Sequence, residues 1–134
     1  MRSHVQFGLV KRTEYPGRGR SMERFQQGSV VIAQFIFTDA SQTKNRPAIV
    51  IANLRDEDYI MCSVTSRCRQ NDPYQIELKK DEITGGDLRH DSFIRPNLIM
   101  TVNQTLILRK VGHLPDHKLK QVIDKIISII TNPQ

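Results

Sequence analysis

One change of hydrophobic period constrains this chain more than any other feature. Up to about residue 110 the apolar residues come in short runs bounded by turn residues; beyond Pro115 they recur with the period of a helix. Ser29–Phe37 (SVVIAQFIF) is β-branched and aromatic, and apolar on both faces apart from Gln34, which reads as a strand buried on both sides. After a polar loop, Thr38–Asn45, the stretch Arg46–Ala52 (RPAIVIA) reads as a second strand. Pro47 is confined to its opening positions, where a missing N–H is tolerated. Leu54–Asp58 is a charged turn, Tyr59–Val64 a third strand and Tyr74–Leu78 a fourth, and Gly85-Gly86 marks a loop. Ser92–Ile94 and Leu98–Thr101 flank Pro96, and Thr105–Lys110 is one more short strand. Then Leu119, Val122, Ile123, Ile126, Ile127 and Ile130 fall on a single helical face, with Pro115 at the first helical position and Asp116 near the positive end of the dipole. Lys118, Lys120, Asp124 and Lys125 are assigned to the solvent side. Many short strands and one closing helix predict an α+β chain, mainly β: a small barrel or sandwich with a C-terminal amphipathic helix.

At 134 residues the chain is one domain's worth. Its longest apolar run, Ile49-Val50-Ile51-Ala52, is far short of the roughly 18 residues of a transmembrane helix. Two cysteines, Cys62 and Cys68, are too few for a disulfide framework and lack zinc-site spacing, so the expected setting is the reducing cytoplasm. The net charge of +6 is unevenly placed. Residues 1–21 hold Arg2, Lys11, Arg12, Arg18 and Arg20 against Glu14 alone, so most of the excess sits there and the remainder is only mildly basic. Residues 1–21 have no periodicity and no continuous apolar stretch, and Met22 opens a segment that reads as a natural start. They are expected to be a cloning remnant or an upstream start, with residues 22–134 forming the single domain. A basic RNA-contacting arm is the alternative.

Two short motifs have both a bland and a chemical reading. Arg46-Pro47 opens a buried-looking strand after a polar loop. An arginine there holds a carboxylate or caps a strand edge, or else presents a bidentate fork to a phosphate. Val64-Thr65-Ser66 places two hydroxyls at the end of the third strand. Such hydroxyls ordinarily satisfy turn backbone, yet they are also placed to donate to a phosphate oxygen. Arg67 and Arg69 follow at once, and Arg95 sits beside Pro96, so the local field is cationic. The histidines make a poor catalytic case: His4 lies near the start, and His90, His113 and His117 are scattered. Cys62 is read as a small core hydrophobe and Cys68 as an exposed thiol. No phosphate-binding glycine loop or nucleophile elbow occurs.

In order along the chain, these pieces resemble the MazF/PemK toxins of type II toxin–antitoxin modules. The matching stretches are Gly28–Thr38 (GSVVIAQFIFT), Arg46–Ile51 (RPAIVI), Val64–Ser66, Asp91–Arg95 (DSFIR) with Met100-Thr101, and Gly112–Leu114 before the final helix. The resemblance covers about residues 22–130. It implies an SH3-like antiparallel barrel, a homodimer, and a ribosome-independent endoribonuclease that uses no metal or cofactor. Family members cut single-stranded RNA and are silenced by a cognate antitoxin. The substrate's own 2′-hydroxyl attacks the adjacent phosphorus, leaving a 2′,3′-cyclic phosphate and a 5′-hydroxyl. The family's key arginine falls on Arg46 and its strand-end threonine on Thr65, with Ser66 beside it, and a second arginine of the PemK branch falls on Arg95. The loop and strand-end residues Thr38, Asp39, Lys44, Asn45, Arg67, Arg69 and Asn97 are then the expected substrate contacts.

The chemistry suits those residue types. RNA supplies the nucleophile, so the protein needs cations and neutral donors around the phosphorane rather than a nucleophile of its own. Two departures from the family stand out. Where the PemK branch carries an aspartate two residues after its second arginine, this chain has Asn97, and the first loop, Thr38–Asn45, has no histidine. The general base is left unassigned, with Asp39 a candidate by chemistry only. Two other readings stay open: a non-catalytic protein that binds a protein target, as the gyrase-poisoning relatives do, and a degenerate toxin that sequesters antitoxin.

Overall fold

The computed structural model describes residues 25–36 and 43–132. Residues 1–21, the proposed start at Met22 and the first-loop residues Thr38 and Asp39 lie outside the described residues. Six antiparallel strands form one sheet: β1 (Ser29–Ile36), β2 (Thr43–Asn53), β3 (Asp58–Thr65), β4 (Ile76–Leu78), β5 (Ser92–Asn103) and β6 (Ile107–His113), in the order β4-β5-β3-β2-β1-β6. A single α-helix, α1 (Asp116–Thr131), follows. The sheet curls into a half-barrel, as expected for a mainly β chain closed by one helix. Its two ends are brought together by the chain after β4, where Thr84 and His113 exchange N–H···O bonds of 2.9 Å each. Among the described residues no helix is long and apolar enough to cross a membrane.

The double-sided apolar character of β1 has a direct cause. Successive side chains of a strand point to opposite faces, and both faces of this sheet are covered. Val30, Ile49, Cys62, Val64, Ile76, Leu78 and Ile94 pack with Leu114, Val122 and Ile126 under the helix, together with Ile83 and Leu88 from the β4–β5 loop. Val31, Ala48, Val50, Tyr59, Met61 and Val102 form a second cluster on the other face, with Phe25, Phe35 and Leu106 against it. Adjacent residues such as Val30 and Val31, or Met61 and Cys62, thus serve different cores.

Several element boundaries differ from the sequence expectation, each for a local reason. Strand β2 starts at Thr43, inside the stretch read as a polar loop, because Thr43–Arg46 pair with β1 from Ile36 to Ala33. Pro47 is accordingly an interior residue. It fits because β2 is paired only with β1 there, the β3 ladder beginning at Ala48. The stretches on either side of Pro96 are one strand. Register with β3 jumps from Arg95 opposite Ser63 to Ile99 opposite Cys62, so Pro96, Asn97 and Leu98 form an unmatched bulge with Pro96 buried. The turn at Arg55–Glu57 is a short 3₁₀ segment, as is Gln104–Leu106, which delays β6 to Ile107.

The helix begins one residue later than expected, with Pro115 as its N-cap, and is rotated about its axis. Lys118 Nζ donates to the Glu77 carbonyl (3.0 Å) and Lys125 Nζ to the Pro73 carbonyl (3.3 Å), so two lysines assigned to solvent lie against the body of the protein. Val122 and Ile126 are buried, while Ile127 and Ile130, assigned to the packed face, are 52% and 65% exposed.

Candidate RNA-binding cleft

The end of the sheet where β2 begins and β3 ends opens into a cleft of about 1160 Å³. Arg46 lies opposite Ala33 of β1, and Ala48, two residues on, lies opposite Ser63 of β3. Continuing that register by two residues sets Arg46 beside Thr65, the last residue of β3. Both line the cleft, as do Lys44, Asn45 and Ser66. The ladder is a suitable platform for them, because pairing with β1 fixes the backbone of Lys44–Arg46 and pairing with β5 that of Thr65.

Thr65 combines the bland and the chemical reading. Its Oγ1 accepts the Arg67 N–H at 3.1 Å, a turn contact of the ordinary kind. That bond uses a lone pair and leaves the hydroxyl hydrogen to point at an anion.

The expected substrate residues divide into those inside the cleft and those outside it. Arg67 and Arg69 are exposed but do not line it, and the chain there folds on itself, with the Arg69 N–H donating to Gln75 Oε1 at 3.1 Å. Asn97 is exposed on the β5 bulge, away from the cleft lining. Arg95 does not line the cleft either; it is half-buried opposite Ser63, two register positions back from Thr65, which pairs with Phe93. The Arg95 Nε is buried without a hydrogen-bond partner among the described residues.

The opposite wall was not legible in the sequence. It comes from the β4–β5 loop and from β6: Lys80, Asp81, Asp87, Arg89, His90 and Arg109. Five cationic side chains (Lys44, Arg46, Lys80, Arg89 and Arg109) thus face two carboxylates, giving the cleft an excess of positive charge. Neither Arg89 nor Arg109 belongs to a motif; only the β1–β6 pairing, which sets Arg109 opposite Ile32, brings the latter to the cleft.

The wall is firmly held. Ile83 and Leu88 are buried in the core. Gly86 passes so close to β6 that a Cβ on it would lie 2.0 Å from the Val111 carbonyl oxygen. The Lys80 N–H donates to Asp91 Oδ1 at 2.9 Å. Glu82 ties the loop to the helix: its Oε1 accepts the Lys79 N–H at 2.8 Å and its Oε2 lies 3.4 Å from Lys118 Nζ. Burial alone would push the Glu82 carboxyl up; the Lys79 N–H and the nearby Lys118 ammonium outweigh it and hold the group below the usual glutamate range. In contrast, burial pushes the Cys62 thiol up to about 12. Among the described residues no group of three His, Cys, Asp or Glu side chains is placed to hold a metal ion.

Comparison with known proteins agrees with this architecture. The chain is similar in structure to a MazE–MazF complex from Deinococcus radiodurans, at 18% sequence identity and a TM-score of 0.66, over 82% of this chain and 98% of that one. A mycobacterial endoribonuclease solved with its cognate antitoxin matches at 10% identity and a TM-score of 0.64, over 82% and 98% of the two chains. The Mycobacterium tuberculosis toxin MazF-mt6 matches at 14% identity and 0.60, over 79% and 98%. At these identities the likeness is one of fold. By sequence, no curated protein gives a significant match. The model of the PemK-like, MazF-like toxins of type II toxin–antitoxin systems, however, matches residues 26–130, nearly the whole described chain, and the protein therefore belongs to that family.

Proposed function

We propose that this toxin is an endoribonuclease that cuts single-stranded RNA by attack of the substrate's own 2′-hydroxyl, yielding 2′,3′-cyclic phosphate and 5′-hydroxyl ends. The observation that carries the reading is the cleft itself, which collects Arg46, Thr65 and Ser66 at one strand end within a surplus of positive charge. Arg46 stabilises charge on the non-bridging oxygens as the phosphorane forms, while Thr65 and Ser66 donate neutral hydrogen bonds. A guanidinium stays protonated at working pH, so Arg46 acts as an electrostatic group and not as the proton donor. Arg95, two register positions from Thr65 and outside the cleft lining, is on this reading a second cation for the substrate once RNA or a second protomer completes its surroundings. Arg67, Arg69 and Asn97 lie outside the cleft and serve, on this reading, flanking nucleotides.

The partners follow from surface chemistry. The cationic cleft suits an acidic segment of a cognate antitoxin, which would block RNA by occupying the same walls. The exposed Ile127 and Ile130, with Ile99 on the helix-covered face of the sheet, form an apolar surface suited to a second copy of this chain. On this reading the protein acts in the cytoplasm, where its mRNA substrates are made.

The test is cleavage of a single-stranded RNA transcript by the full chain in excess chelator, beside Arg46→Ala, with end-group analysis. Cyclic-phosphate ends from the parent, and a rate about 100- to 1000-fold lower in the variant, are expected. Full cleavage by Arg46→Ala, or 3′-hydroxyl ends, would overturn the assignment.

A further inference from the structure

We infer that His90 is the proton-accepting residue of this toxin, the base that removes the proton from the attacking 2′-hydroxyl. The inference rests on the nuclease reading above.

Three structural observations support it. First, His90 lines the same cleft as Arg46 and Thr65. Thr65 pairs with Phe93, and His90 lies three residues before Phe93, so at most ~11 Å of extended chain and one inter-strand step separate the two backbones. Second, its backbone is fixed. Leu88 on one side is buried in the core, Ser92 on the other is buried, and Ser92 Oγ donates to the His90 carbonyl at 2.9 Å. The side chain itself is exposed to the cleft. A catalytic group on a pinned loop meets the demand for a preorganised position. Third, among the side chains facing it, His90 is the one chemically matched to the task. Lys44 and Arg46 on β2, Lys80 and Arg89 on the loop and Arg109 on β6 are cationic residue types, and a carboxylate, as on Asp81 and Asp87, is by residue type a weaker base than an imidazole. An imidazole changes protonation between about pH 5 and 8, where general bases work best.

The step balances. The neutral imidazole takes the 2′-hydroxyl proton as O2′ bonds to phosphorus; the P–O5′ bond breaks with its electron pair on O5′, which takes a proton from water. The imidazolium then returns its proton to solvent. Asn97, in the position where the PemK branch carries an aspartate, is thereby relieved of the role of base.

The experiment compares kcat/KM against pH for the full chain, His90→Asn and Asp39→Asn, using an RNA oligonucleotide that the parent cuts. Circular dichroism and RNA affinity establish that each variant is folded and binds. The parent is expected to lose rate below neutrality with unit slope. His90→Asn should be ~100- to 10,000-fold slower, without that acidic limb, and partly rescued by imidazole buffer. Asp39→Asn should keep the limb. An oligonucleotide with sulfur in place of the bridging O5′, which needs no proton on its leaving group, should leave the His90→Asn defect in place. Restoration by sulfur would make His90 an acid and overturn the assignment, as would a His90→Asn variant with the parent's rate and profile, or loss of the limb in Asp39→Asn alone. A parent that cuts no RNA overturns the nuclease reading, and this assignment with it.

Discussion

Replacing Gly86 by alanine tests whether the β4–β5 loop is the fixed wall described above. A Cβ at this position would lie 2.0 Å from the Val111 carbonyl oxygen and 3.0 Å from its carbonyl carbon. Both are backbone atoms of β6, so no side-chain rotation relieves the overlap. A tolerable contact begins near 3.0 Å, and loop and strand must therefore separate by about 1 Å. That separation pulls on the two 2.9 Å hydrogen bonds between Thr84 and His113, each worth about 1 kcal/mol net. It also lifts Ile83, whose Cδ1 lies 2.7 Å from where a Cβ on Gly112 would stand. With overpacking itself costing about 1–3 kcal/mol, the substitution is expected to destabilise the protein by roughly 3 kcal/mol. Gly85→Ala is the control: its φ of +76° makes alanine strained, at about 1–2 kcal/mol, but nothing lies within 4 Å of the new methyl. Urea unfolding of the three proteins reads the difference as a shift in midpoint at constant m-value. Amide exchange at Thr84 and His113 should accelerate in Gly86→Ala only. Equal stability of the two variants, with both amides as protected as in the parent, would refute the clamped-loop reasoning.

Arg89→Ala and Arg109→Ala should each raise KM with kcat nearly unchanged. Each should also flatten the dependence of log affinity on log salt by about 0.7 for every single-strand phosphate left without its cation, measured by RNA binding at several salt concentrations. Ile130→Asp is expected to turn a dimer into a monomer in sedimentation equilibrium, since burying an isoleucine is worth about 1.5–3 kcal/mol per copy; an unchanged mass would remove the helix from the interface. A thiol reagent at pH 8 should modify one cysteine fast, Cys68, and leave Cys62 unreacted until unfolding, because Cys62 is buried with its thiol pushed up to about 12. Glu82 has its folded-state proton affinity lowered, so the stability it contributes is full above the ordinary glutamate range and is lost as pH falls through the depressed value. Urea midpoints measured from pH 6 to pH 3 should therefore fall less steeply for Glu82→Gln than for the parent.

The strands were legible because β-branched runs between turn residues have few alternatives, and the matching of Val30 and Val31 to opposite cores follows from the period of two. Pro96 and Pro47 misled for one reason: a proline is read as a break, whereas here a bulge and a one-sided pairing absorb each of them. The helix period identified the element but not its rotation, which depends on the Glu77 and Pro73 carbonyls that Lys118 and Lys125 reach. For the site, Thr65 could be read locally because it ends β3 next to a turn, and Arg46 because it opens the apolar run of β2, although the strand itself begins three residues earlier. Arg109 and His90 could not, since their position depends on β6 returning to β1 and on a loop pinned to it. Long-range pairing leaves no mark in a local window of sequence.

The return of β6 to β1 also sets a time order. Val31 pairs with Lys110, so the first strand of the sheet waits for the last before its outer edge is covered. A ribosome making this chain releases Arg46 and Thr65 long before Arg109, Val111 and Lys118, the residues that furnish and anchor the far side of the cleft. Non-local strand pairing is the slow part of folding. A nascent chain, or one stopped by a premature codon ahead of Ile107, therefore holds the arginine, the hydroxyls and the β4–β5 loop without the strand and helix that fix that loop opposite them. On the nuclease reading, the protein is harmless to the translation machinery that produces it until its final quarter has been made.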